Sequence, residues 1–362
     1  MNIIIFFVIL LVLVLFHEFG HFITAKKFGI RVDEFGFGFP PKLFGKKYGE
    51  TEYTFNALPF GGFVKIFGEN PDADSINGPD ASRSFVNSAK WKQAIVLFAG
   101  VFANFVLAWI LFSFGFMSGL PTSVGTEKRG ASLADVHLMV VSVAPKSSAE
   151  SAGLKSGDKI ISIRSDKDFT TYVNPETVKS FVTANKELEI GYLRDKESGE
   201  KYVTMRPQIV GGVPMIGISM DMVGIQKLSF LGSFVEGLDL TLDTFKGTVL
   251  GLFGLIWGGL QGTGSFSSVT GPVGLVSIVG DAYQLGFVYL LSFTALISVN
   301  LAVINLVPFP ALDGGRLLFL LIEKIKGSRM NHNFANTANM VGFAILIILM
   351  LVITYHDVVK LF

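Results

Sequence analysis

Four stretches of this 362-residue chain are nearly free of charge over lengths that can thread a bilayer. The first 16 residues are uncharged, and the apolar run continues past His17, Glu18 and His21 to Ala25, where Lys26 and Lys27 follow at once. The second stretch, Ala94 to Leu120, is bounded by Lys90 and Lys92 on one side and Pro121 on the other. The third runs from Ala282 to Leu312, with Pro308 and Pro310 ending its helix, and the fourth is Phe334 to Tyr355. Each reaches the ~20 residues that a spanning helix needs. A cleaved signal peptide fits the first stretch poorly, because no basic segment precedes it and no small-residue cleavage site closes it. Half of all residues are apolar and 16% are charged, against about 25% charged in soluble domains. The reading is a polytopic α-helical membrane protein with four transmembrane helices.

A net charge of +1 argues against nucleic acid as the main partner, because phosphate binding is driven by clustered Lys and Arg. The absence of cysteine removes disulfide frameworks, thiol nucleophiles, Cys-ligated zinc and iron–sulfur clusters. Positive charge in the short loops sets the orientation: residues 26–92 hold ten Lys/Arg, and Arg316, Lys324, Lys326 and Arg329 follow the third span. Both loops read as cytoplasmic, which places the N-terminus and the long 121–281 segment outside.

The chain divides on this reading into span one within 1–30, a hairpin region at 31–68, a cytoplasmic loop at 69–93 and span two at 94–120. A soluble module at 121–208 and an amphipathic, interfacial linker at 209–281 precede span three at 282–312. A cytoplasmic segment at 313–333 and span four at 334–356 complete the chain. The 31–68 region carries Phe35, Phe37, Phe39, Phe44, Phe55, Phe60, Phe63 and Phe67 among Gly and Pro, and Gly61-Gly62 precedes an apolar run, the pattern of β-hairpins with an apolar face. In the module, Val140–Val143, Lys159–Ile163, Leu188–Tyr192 and Tyr202–Met205 read as strands and Asn174–Ala184 as a helix. Leu228, Leu231, Val235, Leu238, Leu242, Phe245 and Val249 recur at helical steps, so an amphipathic helix lying on the membrane surface is expected there. Residues 247–280, uncharged but rich in Gly, Ser and Thr, read as an interfacial or re-entrant stretch.

His17-Glu18-Phe19-Gly20-His21 places two imidazoles one helical turn apart on one face, able to share a Zn²⁺, with Glu18 beside them to take a proton. The plainer reading is a polar patch satisfied by neighbouring helices. Inside a membrane span, three ionisable side chains within five residues are expensive and point to function. A third ligand is then needed. Lys27 stands where a third histidine of one HExxH pattern falls, and Asp33 and Glu34 lie in the Phe/Gly loop. Asp313, in the run Asn305-Leu-Val-Pro308-Phe-Pro310-Ala-Leu-Asp313-Gly314-Gly315, is the distant candidate, its alternative role being a helix N-cap. Span parity favours Asp313 as ligand: with four spans, span one and span three both end inside, whereas a fifth span at 247–280 would put Asp313 on the wrong face.

HEFGH in the first span, NLVPFPALDGG after the third and a soluble module between spans two and three together resemble the site-2 protease family, and most closely its bacterial zinc intramembrane proteases. The resemblance extends to Gly36-Phe-Gly-Phe-Pro40, Leu58-Pro-Phe-Gly-Gly-Phe-Val-Lys65 and Gly271-Pro-Val-Gly274, and the module, with its Ser148-Ala-Glu-Ser-Ala-Gly-Leu-Lys-Ser-Gly157-Asp158 segment, resembles a single PDZ domain. It implies that His17, His21 and Asp313 hold Zn²⁺ and that Glu18 is the general base. It implies that the 35–67 hairpins, with Gly61 and Gly62, form a membrane re-entrant β-element that holds substrate, and that Asn300, Asn305, Pro308 and Pro310 line the substrate path. The expected activity is zinc-dependent endopeptidase cleavage of single-pass transmembrane proteins in a bacterial cytoplasmic (inner) membrane, such as anti-sigma factors or remnant signal peptides. The PDZ-like module would lie outside and the active site toward the cytoplasm. Two other readings of the motif are a membrane-anchored PDZ adaptor with a structural metal and a zinc-dependent transporter. The transporter would want ionisable residues in several spans, and Ala94–Leu120 and Phe334–Tyr355 hold no Asp, Glu, Lys, Arg or His.

Overall fold

The architecture comes from a computed structural model of the chain, which describes residues 1–126, 132–194, 199–262 and 270–361. Helix α1 (Asn2–Lys27) leads into two long strands, β1 (Val32–Tyr48) and β2 (Thr51–Ile66). Both bend, so that Phe35, Gly36 and Phe37 pair on one side with Gly62–Val64 and on the other with Tyr53–Phe55. The result is a small antiparallel sheet with the 42–48 and 62–66 segments as its two outer strands. Its apolar rings pack on one another: Phe37 and Phe44 both stack on Phe55, at centroid separations of 4.6 and 5.0 Å. Phe22 joins the sheet to α1 through Phe35 at 5.2 Å.

A short helix α2 (Ala73–Asn77) precedes the long α3 (Lys90–Ser118). The sheet domain comprises β3 (Leu120–Ser123), β4 (Ala134–Val143), α4 (Ser148–Ser151), β5 (Lys159–Arg164), β6 (Phe169–Thr170) and α5 (Pro175–Ala184). It continues through β7 (Leu188–Leu193), β8 (Lys201–Met205), β9 (Gln208–Val210), β10 (Val213–Met215) and β11 (Ile218–Gln226). Its strand order is β3-β11-β4-β5-β7-β8, with β6 beside β5 and β9–β10 a separate hairpin. Asn174 caps α5 by accepting from the Thr177 amide at 2.8 Å, with Pro175 at the first helical position, where no amide proton is needed. Leu138, Val140, Ile160, Ile163, Val178, Leu188 and Ile190 form the module's own core.

This domain corrects the expected boundary at 208. Strand β11 lies inside the sheet, paired between β3 and β4, so residues 209–226 belong to the module and not to a linker. The alternating Ile218-Ser-Met-Asp-Met222 run is the signal that was there to be read.

Helices α6 (Phe230–Leu260), α7 (Pro272–Leu285), α8 (Phe287–Leu306), α9 (Asp313–Lys326) and α10 (His332–Leu361) complete the chain. Among the described residues, five helices are long and apolar enough to cross a membrane: α1, α3, α6, α8 and the 333–359 part of α10. The expected surface-lying helix is therefore different in the structure. Helix α6 runs antiparallel along α3: Leu228 donates to the Phe116 carbonyl at 3.0 Å, the Trp109 indole donates to the Phe234 carbonyl at 2.7 Å, and Phe105 meets Phe245. Its buried residues are Ser233, Glu236, Gly237 and Thr241, while Leu231, Val235, Leu242 and Val249 are exposed. The small and polar stripe thus seeks the protein, and the apolar stripe faces outward, as in helix packing within lipid.

The expected interfacial or re-entrant stretch at 247–280 is replaced by the end of α6 and most of α7, with 263–269 outside the described residues. The single helix expected over 282–312 is likewise divided: α7 ends at Leu285, Gly286 separates it from α8, and 307–312 are not helical. Helix α7 packs on the N-terminal half of α1, where Val279, Leu275 and Val276 join Phe6, Ile9 and Leu13. Helix α8 therefore starts beside the N-terminal end of α1 and runs parallel to it.

Candidate metal centre

Helix α1 presents two working faces. Leu13, His17 and His21 point toward α3 and are buried, while Leu15, Glu18 and Phe22 point toward the β1–β2 sheet. The spacing of 3.6 residues per turn sorts them so: positions 13, 17 and 21 follow one face, and positions 15, 18 and 22 follow another.

The close approach of α3 to the histidines depends on Gly100. A Cβ at this position would lie 2.3 Å from His21 Nε2 and 2.8 Å from His17 Cε1, distances that no side chain tolerates. Through this notch His21 Nδ1 donates to the Val96 carbonyl at 2.8 Å. The same helix sends the Asn104 amide to 3.3 Å from His17 Nδ1, and the Ser298 hydroxyl of α8 donates to the Asn104 carbonyl at 2.8 Å.

Asp313 arrives from the far end of the chain. Pro308 and Pro310 end α8 and turn the backbone, and α9 begins at Asp313 against that turn. Only glycine fits the next two positions: a Cβ on Gly314 would meet the Leu306 and Val307 carbonyl oxygens at 2.3 Å, and one on Gly315 would meet the Phe309 oxygen at 2.2 Å. The N-cap of α9 is Leu312, with no side-chain cap, so the Asp313 carboxylate does not serve as one. It reaches into the bundle instead. Asp313 Oδ2 lies 3.0 Å from His17 Nε2 and 3.3 Å from His21 Nε2, and the two Nε2 atoms are 3.2 Å apart.

This triangle fits a divalent cation. Bonds of 2.0–2.1 Å in a tetrahedral zinc site put ligand atoms about 3.3 Å apart. Asp313 Oδ2 is buried and has no hydrogen-bond partner, although both imidazoles are within ion-pair distance. In its neutral form His21, with its one proton given to Val96, turns an Nε2 lone pair toward the carboxylate. Converging lone pairs in a buried site repel unless a cation stands among them. His17, His21 and Asp313 are, among the described residues, the set of His and acidic side chains that could hold a metal.

The remaining sequence-derived candidates separate. Glu18 Oε2 accepts the Val64 backbone amide at 3.1 Å, which ties the acid beside the histidines to the outer strand at 62–66. Gly61 and Gly62 pack on Val14 and Leu15 of α1, next to that contact. Asn300 Oδ1 accepts the Thr248 hydroxyl of α6 at 2.9 Å, an interhelical bond rather than a contact with the triangle. Asn305 and Pro310 are half-buried and Pro308 is exposed, and Pro310 packs against Gly342 of α10. Arg316 pairs with Glu69, and Lys90 with Glu323, closing α9 against the loop after β2 and the start of α3. Sequence reasoning missed Asn104 and Gly100. Their signal was a lone amide four residues after a glycine inside an uncharged run. The Val96 carbonyl and Val64 amide are backbone groups and leave no such mark.

Gly100→Ala tests the seating of α3. The variant is expected to lose stability by about 1–3 kcal/mol from overpacking and to lose bound zinc, read from the metal content of the purified protein. Full zinc occupancy in the alanine variant would contradict the account of the notch.

Comparison with known proteins agrees with this geometry. The model of peptidase family M50 matches residues 5–349. A putative zinc metalloprotease of Clostridium perfringens is 35% identical over 348 residues, covering 96% of this chain and 95% of the relative. The zinc metalloprotease RasP of Geobacillus kaustophilus is 28% identical, covering 100% and 98%. The regulator of sigma-W protease RasP of Bacillus subtilis is 28% identical, covering 100% and 99%. The apolar helices and this kinship make the protein a multi-pass membrane protein. The chain thus belongs to peptidase family M50, the site-2 proteases, and is a zinc-dependent metalloprotease.

Proposed function

We propose that this protein is an intramembrane endopeptidase that cuts the transmembrane segments of single-pass membrane proteins in a bacterial cytoplasmic membrane. His17, His21 and Asp313 hold the zinc and Glu18 carries the proton. The observation that carries the reading is the triangle of buried ligand atoms, two imidazole nitrogens and a carboxylate oxygen 3.0–3.3 Å on a side, set between helices of a membrane bundle with an acid at its edge.

Zinc bound there supplies Lewis acidity toward water and toward the scissile carbonyl. Glu18 accepts a proton at its carboxylate from the attacking water and passes it to the departing amine. His21, braced by Val96, and His17 keep their Nε2 atoms inward. The helices around the site exclude bulk water, so charge developing in the reaction meets fixed groups in a low-dielectric setting.

A transmembrane helix must unwind before its backbone can be cut, and its freed amides and carbonyls need partners. The 62–66 strand supports a way to supply them. It is one of the two outer strands of its sheet, it lies against α1, and its Val64 amide already faces Glu18. Strand addition there lays an extended substrate beside the acid and the metal ligands. The Phe-rich sheet reads as the re-entrant element that makes this surface available at membrane depth.

For topology, we place four crossings at α1, α3, α8 and α10, with Lys26, Lys27 and the Arg/Lys-rich α9 on the cytoplasmic side. Helix α6 lies alongside α3, and α7 packs on the N-terminal half of α1 while the Gly274 amide donates to Asp357 near the end of α10 at 2.9 Å. These contacts support the start of α8 lying on the same side as the start of α1, which is the parity the site needs. The sheet domain then lies outside as a PDZ-like module between α3 and α6. There it filters substrates by ectodomain size or recruits them by a new C-terminus. The regulatory title of the Bacillus subtilis relative supports substrates of the anti-sigma-factor kind.

Glu18→Gln is expected to keep its zinc and lose turnover of a transmembrane substrate by at least the 10²–10⁴-fold (about 3–5 kcal/mol) typical of a general base. A glutamine variant that cleaves at the wild-type rate contradicts the assignment. Val64→Pro removes the outward amide of the edge strand; cleavage is expected to fall more than about tenfold with zinc retained. Unchanged cleavage would rule out strand addition at this edge.

A further inference from the structure

We infer that Asn104 is the positioning residue of His17: its side-chain oxygen accepts the Nδ1 proton of that imidazole and thereby presents the Nε2 lone pair to the metal. The inference deepens the zinc reading above and rests on it.

A neutral imidazole that binds a metal through one nitrogen carries its proton on the other, and the partner of that proton fixes both tautomer and ring orientation. For His21 the partner is a backbone carbonyl, which can only accept, so the Nδ1 proton is settled by Val96. For His17 the partner is an amide, which can do either. The two ends of an amide have the same shape, and hydrogen bonding alone decides which one faces the ring.

The two choices have opposite consequences. If the Asn104 nitrogen donates to Nδ1, the His17 proton moves to Nε2. It then points at Asp313 Oδ2, 3.0 Å away, and forms a closed hydrogen bond where a cation would sit. If the Asn104 oxygen faces Nδ1, the proton stays on Nδ1 and Nε2 joins the triangle as a lone pair. With the nitrogen toward the ring, the oxygen is buried and has no hydrogen-bond partner. Turning the amide gives that oxygen a donor. Asn104 is fully buried and its backbone is held by Ser298 of α8, so no solvent competes for the contact. Helix α3 thus braces both histidines, through Val96 and Asn104, one turn to either side of the Gly100 notch.

The test uses the full chain in detergent, with zinc affinity measured by competition against a chelator. Asn104→Leu keeps the volume and removes the acceptor; zinc affinity is expected to fall about 10–100-fold, the usual cost of losing such a partner. Asn104→Asp keeps an acceptor oxygen in the same place and is expected to hold zinc as the wild type does. Equal affinity in the leucine variant and the wild type overturns the inference. An equal loss in the leucine and aspartate variants also overturns it, because it marks a packing role. If Asn104→Leu fails to fold, Asn104→Ala removes the acceptor without added bulk and is read the same way. A wild-type protein that holds no zinc would instead sink the metal site itself, an outcome distinct from the first two.

Discussion

The approach of α1 and α3 sets the position of every other part of the site. At Gly100 the α3 backbone comes so near that the imidazoles of His17 and His21 rest against it, and one of them bonds its carbonyl ladder directly. Within lipid, no hydrophobic force gathers the helices, and close packing through small residues does that work. Gly20 of α1, set against the Ala99 carbonyl and Ala103, continues the same seam. A wider seam would leave the imidazoles without orienting partners, and Asp313 would reach toward ligands in the wrong rotamers.

From that seam the site grows in two directions. Toward α8 and α9, the Pro308–Pro310 turn and the two glycines after Asp313 fold the chain tightly enough to bring a carboxylate back to a pair of histidines almost 300 residues earlier in the chain. Toward the sheet, Glu18 on the second face of α1 accepts the Val64 amide. One helix therefore divides by face: the two histidines of the triangle on one side, and on the other the acid that meets the sheet. The ion pairs at the end of α1 belong to the same frame. Glu50, at the tip of the β1–β2 turn, binds Lys26 at 2.6 Å and Arg83 at 2.7 Å, and these two cations hold its carboxyl well below the ordinary value, at about 2.

Much of this was legible in the sequence, and the reasons are physical. Ionisable groups inside apolar runs are costly enough that HEFGH stands out at once, and the Pro/Gly punctuation around Asp313 marks a turn that only a few side chains survive. The phenylalanine-rich hairpins and the strands of the sheet domain follow from alternation. What escaped has equally concrete causes. Helix α6 carries apolar residues at the spacing of a surface helix, but its Ser233, Gly237 and Thr241 stripe is the face that finds α3. Hydropathy ranks the apolar stripe first and so reverses the orientation. Strand β11 was lost to a boundary drawn where the charged, loop-like character of the module fades. The break at Gly286 divides an apolar run that composition treats as one. Asn104 and the backbone partners Val96 and Val64 act through contacts made only after the helices assemble.

The claim on which all of this turns is that two imidazoles and one carboxylate share a zinc ion inside the bundle. X-ray absorption at the zinc edge of the purified, zinc-loaded protein measures this directly. The account predicts one zinc per chain, bound by two imidazole nitrogens and a carboxylate oxygen at about 2.0–2.2 Å, with the carboxylate contribution lost in Asp313→Ala. A zinc environment unchanged by that substitution, or a protein that takes up no zinc at all, would contradict it.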